Sequence, residues 1–470
     1  MADTTTQLLP TRAANPPWVW VIAAAIPLML LAPALWNGYP LLQSDTGGYL
    51  ARWYEGYLVP SRSTVFGLYL HFGEHSYFWL NLVIQALVTM WILQVTLRVF
   101  GLAKPWRLFG LCLLLALTTA LPWLASMLLT DIFAGLSVLS LFILVLHGDK
   151  VSGPEKAALF VFTAFAAATH SATMAVLLGL CCVGWIARPF LRGRIPITHL
   201  AQGTLTIAAG AVMLLSANFA LSGQVAWTPG GYAIAFARML QDGIVTRYLN
   251  DHCPTQHFKL CPYRDELPET ADDFLWSRET VFNKLGRFPG MGDEMGYIAV
   301  HALAEYPLWQ AEAALLATGE QMLEMATGEN TDRPTTPHTY GIIHRYMPEQ
   351  LKLMTAAHQQ TGFLTFGPIN LIHVPVALIS TALVFAMLIA AAFRRRTDDV
   401  TLLTATVCLA LLGNAAICGV ISGPHDRYGS RLIWIATCAV MIAAMKRWQH
   451  ASVEAIRHGR RDRKSSTPVL

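Results

Sequence analysis

Asp45 stands in Gln43-Ser44-Asp45-Thr46-Gly47-Gly48-Tyr49, a few residues after the first long apolar run of the chain. A carboxylate at the edge of a bilayer is expensive to place and marks a functional position by default. There it could take a proton from an attacking hydroxyl as a general base. The paired glycines allow close backbone approach beside the acid, and Tyr49 adds a ring that could line a substrate. Ser44-Asp45 also has the form of a helix N-cap, a purely structural role, for residues 49–54.

Other chemistry-bearing residues recur at the same depth. Arg62 lies in Pro60-Ser61-Arg62-Ser63-Thr64-Val65-Phe66, ahead of a short apolar segment, and would bind an anion or simply face solvent. Asp131, in Leu129-Thr130-Asp131-Ile132-Phe133, would be either catalytic or a buried partner for Arg62. His170 interrupts an apolar stretch. The run Gly423-Pro424-His425-Asp426-Arg427-Tyr428-Gly429-Ser430-Arg431 packs two arginines, a histidine and an acid into a segment too short for a domain. Forked guanidiniums suit phosphate recognition; anchoring at the headgroup layer is the plainer role.

Positioning these groups falls to helices in lipid. The chain has 470 residues, 54% hydrophobic and 13% charged, against about 25% charged for soluble domains. So few charges cannot cover a water-facing surface. A net charge of +4 is too small to indicate nucleic acid as a partner. Runs approaching the roughly 20 apolar residues that span a bilayer fall near 18–36, 76–97, 106–121, 124–146, 200–222, 371–393, 400–421 and 430–445. The first reads as a retained helix, because the polar stretch before it, with Arg12 as its one basic residue, lacks the form of a cleavable signal. The stretch 157–187 is too long for one helix and is broken at Thr169-His170-Ser171-Ala172-Thr173, so it reads as two helices. Ten crossings then place Arg98, Lys104 and Arg107, Lys150 and Lys156, Arg188, Arg192 and Arg194, Arg394 to Arg396 and the tail from Lys446 on one side, the cytoplasmic side by the basic-residue rule. Nine crossings would split those clusters.

The expected fold is an all-α polytopic membrane protein of about ten transmembrane helices with a mostly helical or irregular extracytoplasmic domain. Its parts are a membrane domain at 1–222 with a first outward loop at 37–75, an outer domain at 223–370, three further membrane helices at 371–445, and a basic tail at 446–470. Both termini are expected in the cytoplasm, with the chain in the cytoplasmic membrane. In the outer domain, 298–325 has helical spacing and 286–296 reads as turn-rich. Cys253 and Cys261 suit a small disulfide loop in an oxidising compartment. Zinc, with His252 and His257 nearby, competes, but the spacing fits no standard finger; a divalent metal is not indicated, and no other cofactor is. The remaining cysteines lie in apolar helices, where they read as small packing residues. Trp227, Tyr232, Trp276 and Trp309 could stack on sugar rings, although core packing is the commoner use of such residues.

In these residues the chain resembles the GT-C superfamily of membrane glycosyltransferases, which includes protein O-mannosyltransferases and lipid A aminoarabinose transferases. Asp45 is similar to the family's acid in the first outward loop. Arg62-Ser63-Thr64-Val65-Phe66 resembles an Arg-Ser/Pro motif before a short apolar stretch, Thr130-Asp131-Ile132-Phe133 an acid opening the fourth helix, and Asp426-Arg427-Tyr428 a late Arg-Tyr motif. The likeness runs through 18–222 and 371–445. It departs in having one acid at Asp45 where many members have a pair, and in the outer domain, which is similar to no module of the family.

The resemblance implies a polyprenyl-phosphate-linked sugar as donor and an inverting transfer to a lipid, glycan or protein acceptor among membrane lipids. Asp45 would be the base, with Asp131 beside it. Arg62 and Arg427, supported by Arg431 and His425, would hold the donor phosphate, and His170, Tyr49 and Tyr428 would line the substrate site. Three other classes compete: a transporter or flippase, which would carry mid-membrane polar residues in repeated segments; a non-catalytic assembly partner; and an acyltransferase using His170, for which no thioester motif is present.

Overall fold

The computed structural model describes residues 16–191 and 193–465. The N-terminal polar stretch up to residue 15, with Arg12, and also Arg192 and the last five residues, lie outside the described residues. Among those described the chain is all-helical, with one isolated backbone bridge, Leu41 to Met127, and no strand.

Among the described residues six helices are long and apolar enough to cross a membrane. Numbering the longer and site-bearing helices in chain order, these are α4 (Trp79–Val99), α6 (Asp131–His147), α9 (Ile197–Ser222), α14 (Gly367–Phe393), α15 (Asp399–Ile421) and α16 (Asp426–Ser465). Shorter helices accompany them: α1 (Pro17–Leu30), α2 (Thr46–Leu50), α3 (Thr64–Gly73), α5 (Pro105–Thr118), α7 (Gly153–Thr169) and α8 (Ser171–Ala187). The expected break falls on His170, which is extended between α7 and α8.

Nearly every residue of α6 is buried, so other helices surround it and shield it from lipid. Its approach to α16 depends on Gly135: a Cβ there would lie 2.7 Å from the Trp434 indole. Gly135 is one turn past Asp131, and Trp434 two turns past Arg427. This contact therefore sets the register of the two helices and, with it, of those two charges.

The two ends of α6 differ in character. At one end Arg98 pairs with Glu155 at 2.8 Å, and Asp399 pairs with Lys150 at 3.0 Å and Arg194 at 3.4 Å. These ion pairs gather the end of α4, the start of α7, the α6–α7 and α8–α9 connections and the start of α15 onto one face. Asp45, Asp131, His170 and Arg427 all lie at the other.

Residues of the segment 223–370 contribute to two separate hydrophobic cores. Residues 233–302 form a unit with its own core, built by α10 (Tyr232–Gln241), α11 (Arg287–Glu305) and short helices between them, with Phe236, Tyr248, Phe274, Phe282 and Met295 inside. Residues 325–357, by contrast, contribute Met325, Ile343, Met347 and Met354 to the core of the apolar bundle. The expected turn-rich segment 286–296 is instead the first half of α11. Met291, Met295, Ile298, Ala299 and Ala302 recur along one helical face and bury it, and Pro289 sits in the first turn, where its missing N–H costs little. The helical run expected over 298–325 is divided at Pro307, which opens α12 (Pro307–Gln321). Beyond it lies α13 (Pro337–Tyr346).

Cys253 and Cys261 are joined by a disulfide, with their Cα atoms 5.6 Å apart. Cys182 is exposed, whereas Cys112, Cys181, Cys408, Cys418 and Cys438 are buried. Trp227, Tyr232, Trp276 and Trp309 are partly exposed and so are not core residues. The ring of Trp309 lies under the Arg247 guanidinium at 4.1 Å.

Candidate active site at one end of the bundle

The first loop is fastened by its backbone. Leu41 donates to Ser126 O at 2.9 Å and accepts from Leu128 N at 3.0 Å, and the Thr46 hydroxyl donates to Leu128 O at 3.1 Å. These bonds carry residues 41–46 alongside 126–130, so that Asp45 arrives next to the start of α6. From the other side, α13 presses onto α2. Thr339 Oγ1 accepts from Gly47 N at 2.8 Å, and a Cβ on Gly47 would stand 2.6 Å from the Thr339 backbone. Gly48 lies against the Arg62 side chain, whose guanidinium sits 5.8 Å from the centre of the Tyr49 ring.

Asp45 occupies the N-cap position of α2, yet its side chain makes no capping bond. The capping role is overturned: both carboxylate oxygens face guanidiniums. Oδ1 accepts from Arg62 Nη2, and Oδ2 accepts from Arg427 Nη1 at 2.6 Å. Burial pushes this carboxyl up, but the neighbouring Arg62 and Arg427 charges outweigh it and hold the group at about 2. Asp45 therefore stays ionised at any physiological pH.

Arg427 bridges two acids. Its Nε donates to Asp131 Oδ2 at 2.8 Å and its Nη2 to Asp131 Oδ1 at 3.4 Å, while Nη1 serves Asp45. Asp131 is thus the partner of Arg427 and not of Arg62. With a side chain 2% exposed and both oxygens held, it positions the arginine. Exposure rises along the chain of charges, from 11% for Arg427 to 19% for Asp45 and 18% for Arg62, so a substrate would reach Asp45 and Arg62 first.

The start of α16 is gripped from outside. Glu329 accepts from Arg427 N at 2.7 Å and pairs with His425 Nδ1 at 2.8 Å. Gln321 accepts from His425 N and donates to His425 O, both at 2.9 Å. His425 therefore helps to hold the Glu329 loop and makes no contact with Asp45. Arg431, one turn past Arg427, is fully buried. It donates to Asn414 Oδ1 through Nη2 at 2.6 Å and Nε at 3.1 Å, and its Nη1 lies 3.4 Å from His170 Nδ1. The Tyr428 ring has Arg427 5.9 Å from its centre and Arg431 5.4 Å from it, and its hydroxyl lies 3.0 Å from Ser422 Oγ.

Asp45, Arg62, Asp131, Arg427 and Tyr49 thus form one cluster. His170, Arg431 and Tyr428 adjoin it, with Arg431 beside His170 and the Tyr428 ring beside both Arg427 and Arg431. Glu329, Gln321, Thr339 and Asn414 were not foreseen. One signal for Glu329 does exist: from residue 288 to 332 the chain has eight acids and no Lys or Arg, so any buried acid there must find its cation in another segment. Among the described residues no group of three or more His, Cys, Asp or Glu side chains could hold a metal ion. No protein-family model, no curated protein and no solved structure matches the chain.

Proposed function

We propose that this protein is a membrane glycosyltransferase of the GT-C type, moving a sugar from a polyprenyl-phosphate donor to a hydroxyl acceptor at the outer face of the cytoplasmic membrane. The observation that carries this reading is a partly accessible carboxylate, Asp45, gripped by two guanidiniums from distant parts of the chain. Helices α1 and α4 to α9, with α14 to α16, would make ten crossings, with both termini cytoplasmic. In support, the basic ion-paired face lies at the opposite end of α6 from Asp45. The disulfide in the 233–302 unit suits an oxidising compartment on the site's side.

A carboxylate held at about 2 is a poor base while both arginines face it. The donor phosphate changes that. As an anion it competes for Arg62 and Arg427, and each guanidinium that turns to phosphate releases Asp45 toward its ordinary basicity. Asp45 then takes the acceptor's hydroxyl proton as the oxygen attacks the anomeric carbon from the face opposite the phosphate. The acceptor C–O bond forms, the bond from that carbon to the phosphate oxygen breaks, and the anomeric centre inverts. The leaving phosphate keeps the electron pair, and the arginines it already contacts stabilise the charge that develops. Asp131 keeps Arg427 pointed at this place throughout.

The test is sugar transfer by the purified full-length protein in liposomes, from labelled polyprenyl-phosphate sugars to a panel of lipid, glycan and peptide acceptors. Transfer by wild type that disappears in Asp45→Asn supports the reading. Transfer retained in Asp45→Asn removes it.

A further inference from the structure

Helix α12 belongs by sequence to the outer segment, yet it packs along α15, a candidate membrane span. A Cβ on Gly419 of α15 would lie 2.6 Å from Ala317 O. Farther on, Gln321, Met322 and Met325 meet Leu411, Asn414 and Ala415. Asn414 is seven residues below Ile421, the site-side end of α15, or roughly 10 Å at 1.5 Å per residue. If α15 spans the bilayer, the last turns of α12 lie at that depth too.

The exposed side of those turns is apolar. Leu315 and Leu316 in α12, and Leu323 in the turn just past its end, are 76%, 68% and 67% exposed. Of the two exposed acids on α12, Glu312 lies a turn nearer the outside, and Glu320 lies at the edge of the face, toward Asp242. The candidate spanning helices α14 and α15 likewise expose apolar side chains, including Ile379 and Leu412.

The connection after α12 gives an independent sign. Irregular backbone is tolerated at membrane depth only where protein satisfies its polar groups, and here side chains do so. Ala326 N donates to Asp426 Oδ1 at 2.6 Å and Thr327 N to Asn370 Oδ1 at 2.8 Å, while Asn370 Nδ2 donates to Thr327 O at 3.0 Å. Gln359 Nε2 donates to Thr331 O at 2.6 Å.

We infer that the last two turns of α12 and residues 322–330 form a re-entrant hairpin in the leaflet on the site's side, with Leu315, Leu316 and Leu323 covered by phospholipid acyl chains. This rests on α15 being a membrane span and not on the transferase reading. It also makes the Glu329 grip on Arg427 part of a membrane-embedded element.

Single nitroxide labels at Leu316→Cys and Leu323→Cys, in full-length protein carrying Cys182→Ser and reconstituted in phosphatidylcholine liposomes, test it by collision with oxygen and with a water-soluble nickel chelate. Ile379→Cys on α14 is the lipid reference and Glu279→Cys in the outer unit the aqueous one. Labels at 316 and 323 should follow Ile379→Cys, with oxygen collisions exceeding nickel collisions, and Glu279→Cys should show the reverse. Nickel-dominated relaxation at 316 and 323 overturns the inference in favour of water. Low collision with both reagents overturns it in favour of a protein cover, such as a second copy of the chain.

Discussion

Replacing Asp45 with asparagine should tighten donor binding while it stops turnover. In the proposed mechanism Asp45 competes with the incoming phosphate for Arg62 and Arg427, the two guanidiniums it pairs with. The cost of breaking that competition can be taken from the carboxyl itself, which lies about 2 pH units below its ordinary 3.8. At about 1.4 kcal/mol per unit this is about 2–3 kcal/mol. The side chain is 19% exposed, so solvent screening takes only part of it. The shift is already net of an opposing desolvation penalty, so the arginine attraction itself is larger. Removing the carboxylate should therefore improve the affinity for a polyprenyl phosphate by on the order of 100-fold, read by titrating the lipid into nanodisc-embedded protein, while transfer falls by about 10²–10⁴-fold as expected for loss of a base. The sign of the pH effect follows. Asp45 ionisation favours the folded site above the ordinary 3.8 and loses that contribution as pH falls through about 2, so donor affinity near neutrality should carry no titration from this group. Weaker or unchanged phosphate binding in Asp45→Asn would show that the donor does not exchange with the carboxylate on these arginines.

Arg427→Ala strands Asp131, buried and without a cation, and should cost about 3–5 kcal/mol; thermal unfolding in detergent should show the loss, and adding Asp131→Asn should recover part of it. His425 is held above its ordinary 6.5 chiefly by the hydrogen bond to Glu329, against a burial effect that lowers it. The clasp between the 329 loop and α16 is therefore fully present below about 6.5 and weakens as pH rises through the raised value; hydrogen exchange of residues 325–331 should speed up over that range, and His425→Gln should abolish the dependence. Reducing the Cys253–Cys261 disulfide, which closes a loop with a sequence separation of 8, should destabilise the 233–302 unit by about 2–3 kcal/mol, with exchange rising there and unchanged in α6.

Membrane helices and the end of the bundle bearing the site were legible because apolar length and basic clusters are properties of single segments. The break at His170 was legible for the same reason, since a polar cluster interrupts an apolar run. The motifs also named the acids and arginines that meet. What they could not give was the pairing: Asp131 could have chosen either arginine, and the choice depends on the Gly135–Trp434 contact, which joins segments about 300 residues apart. The N-cap pattern at Ser44-Asp45 misled because local propensity yielded to two tertiary charges. Glu329, Gln321 and Thr339 act through a fold of the 223–370 segment back onto the bundle, for which no local spacing is a signature. Residues 286–296 looked like a turn because glycine and proline dominate them, but packing of the two methionines overrode that preference.

The bond between Asp131 and Arg427 also spans the order of synthesis. Its partners are 296 residues apart, so a ribosome completes α6, the innermost helix, long before the arginine exists. Until α16 follows, the nascent bundle holds an acid in apolar surroundings with no guanidinium beside it, a situation that disfavours insertion. Any product truncated before α16 is left in that state. Completion of the polypeptide is thus marked by one charge pair, and a surveillance protease or chaperone could tell finished copies from unfinished ones by that unpaired acid.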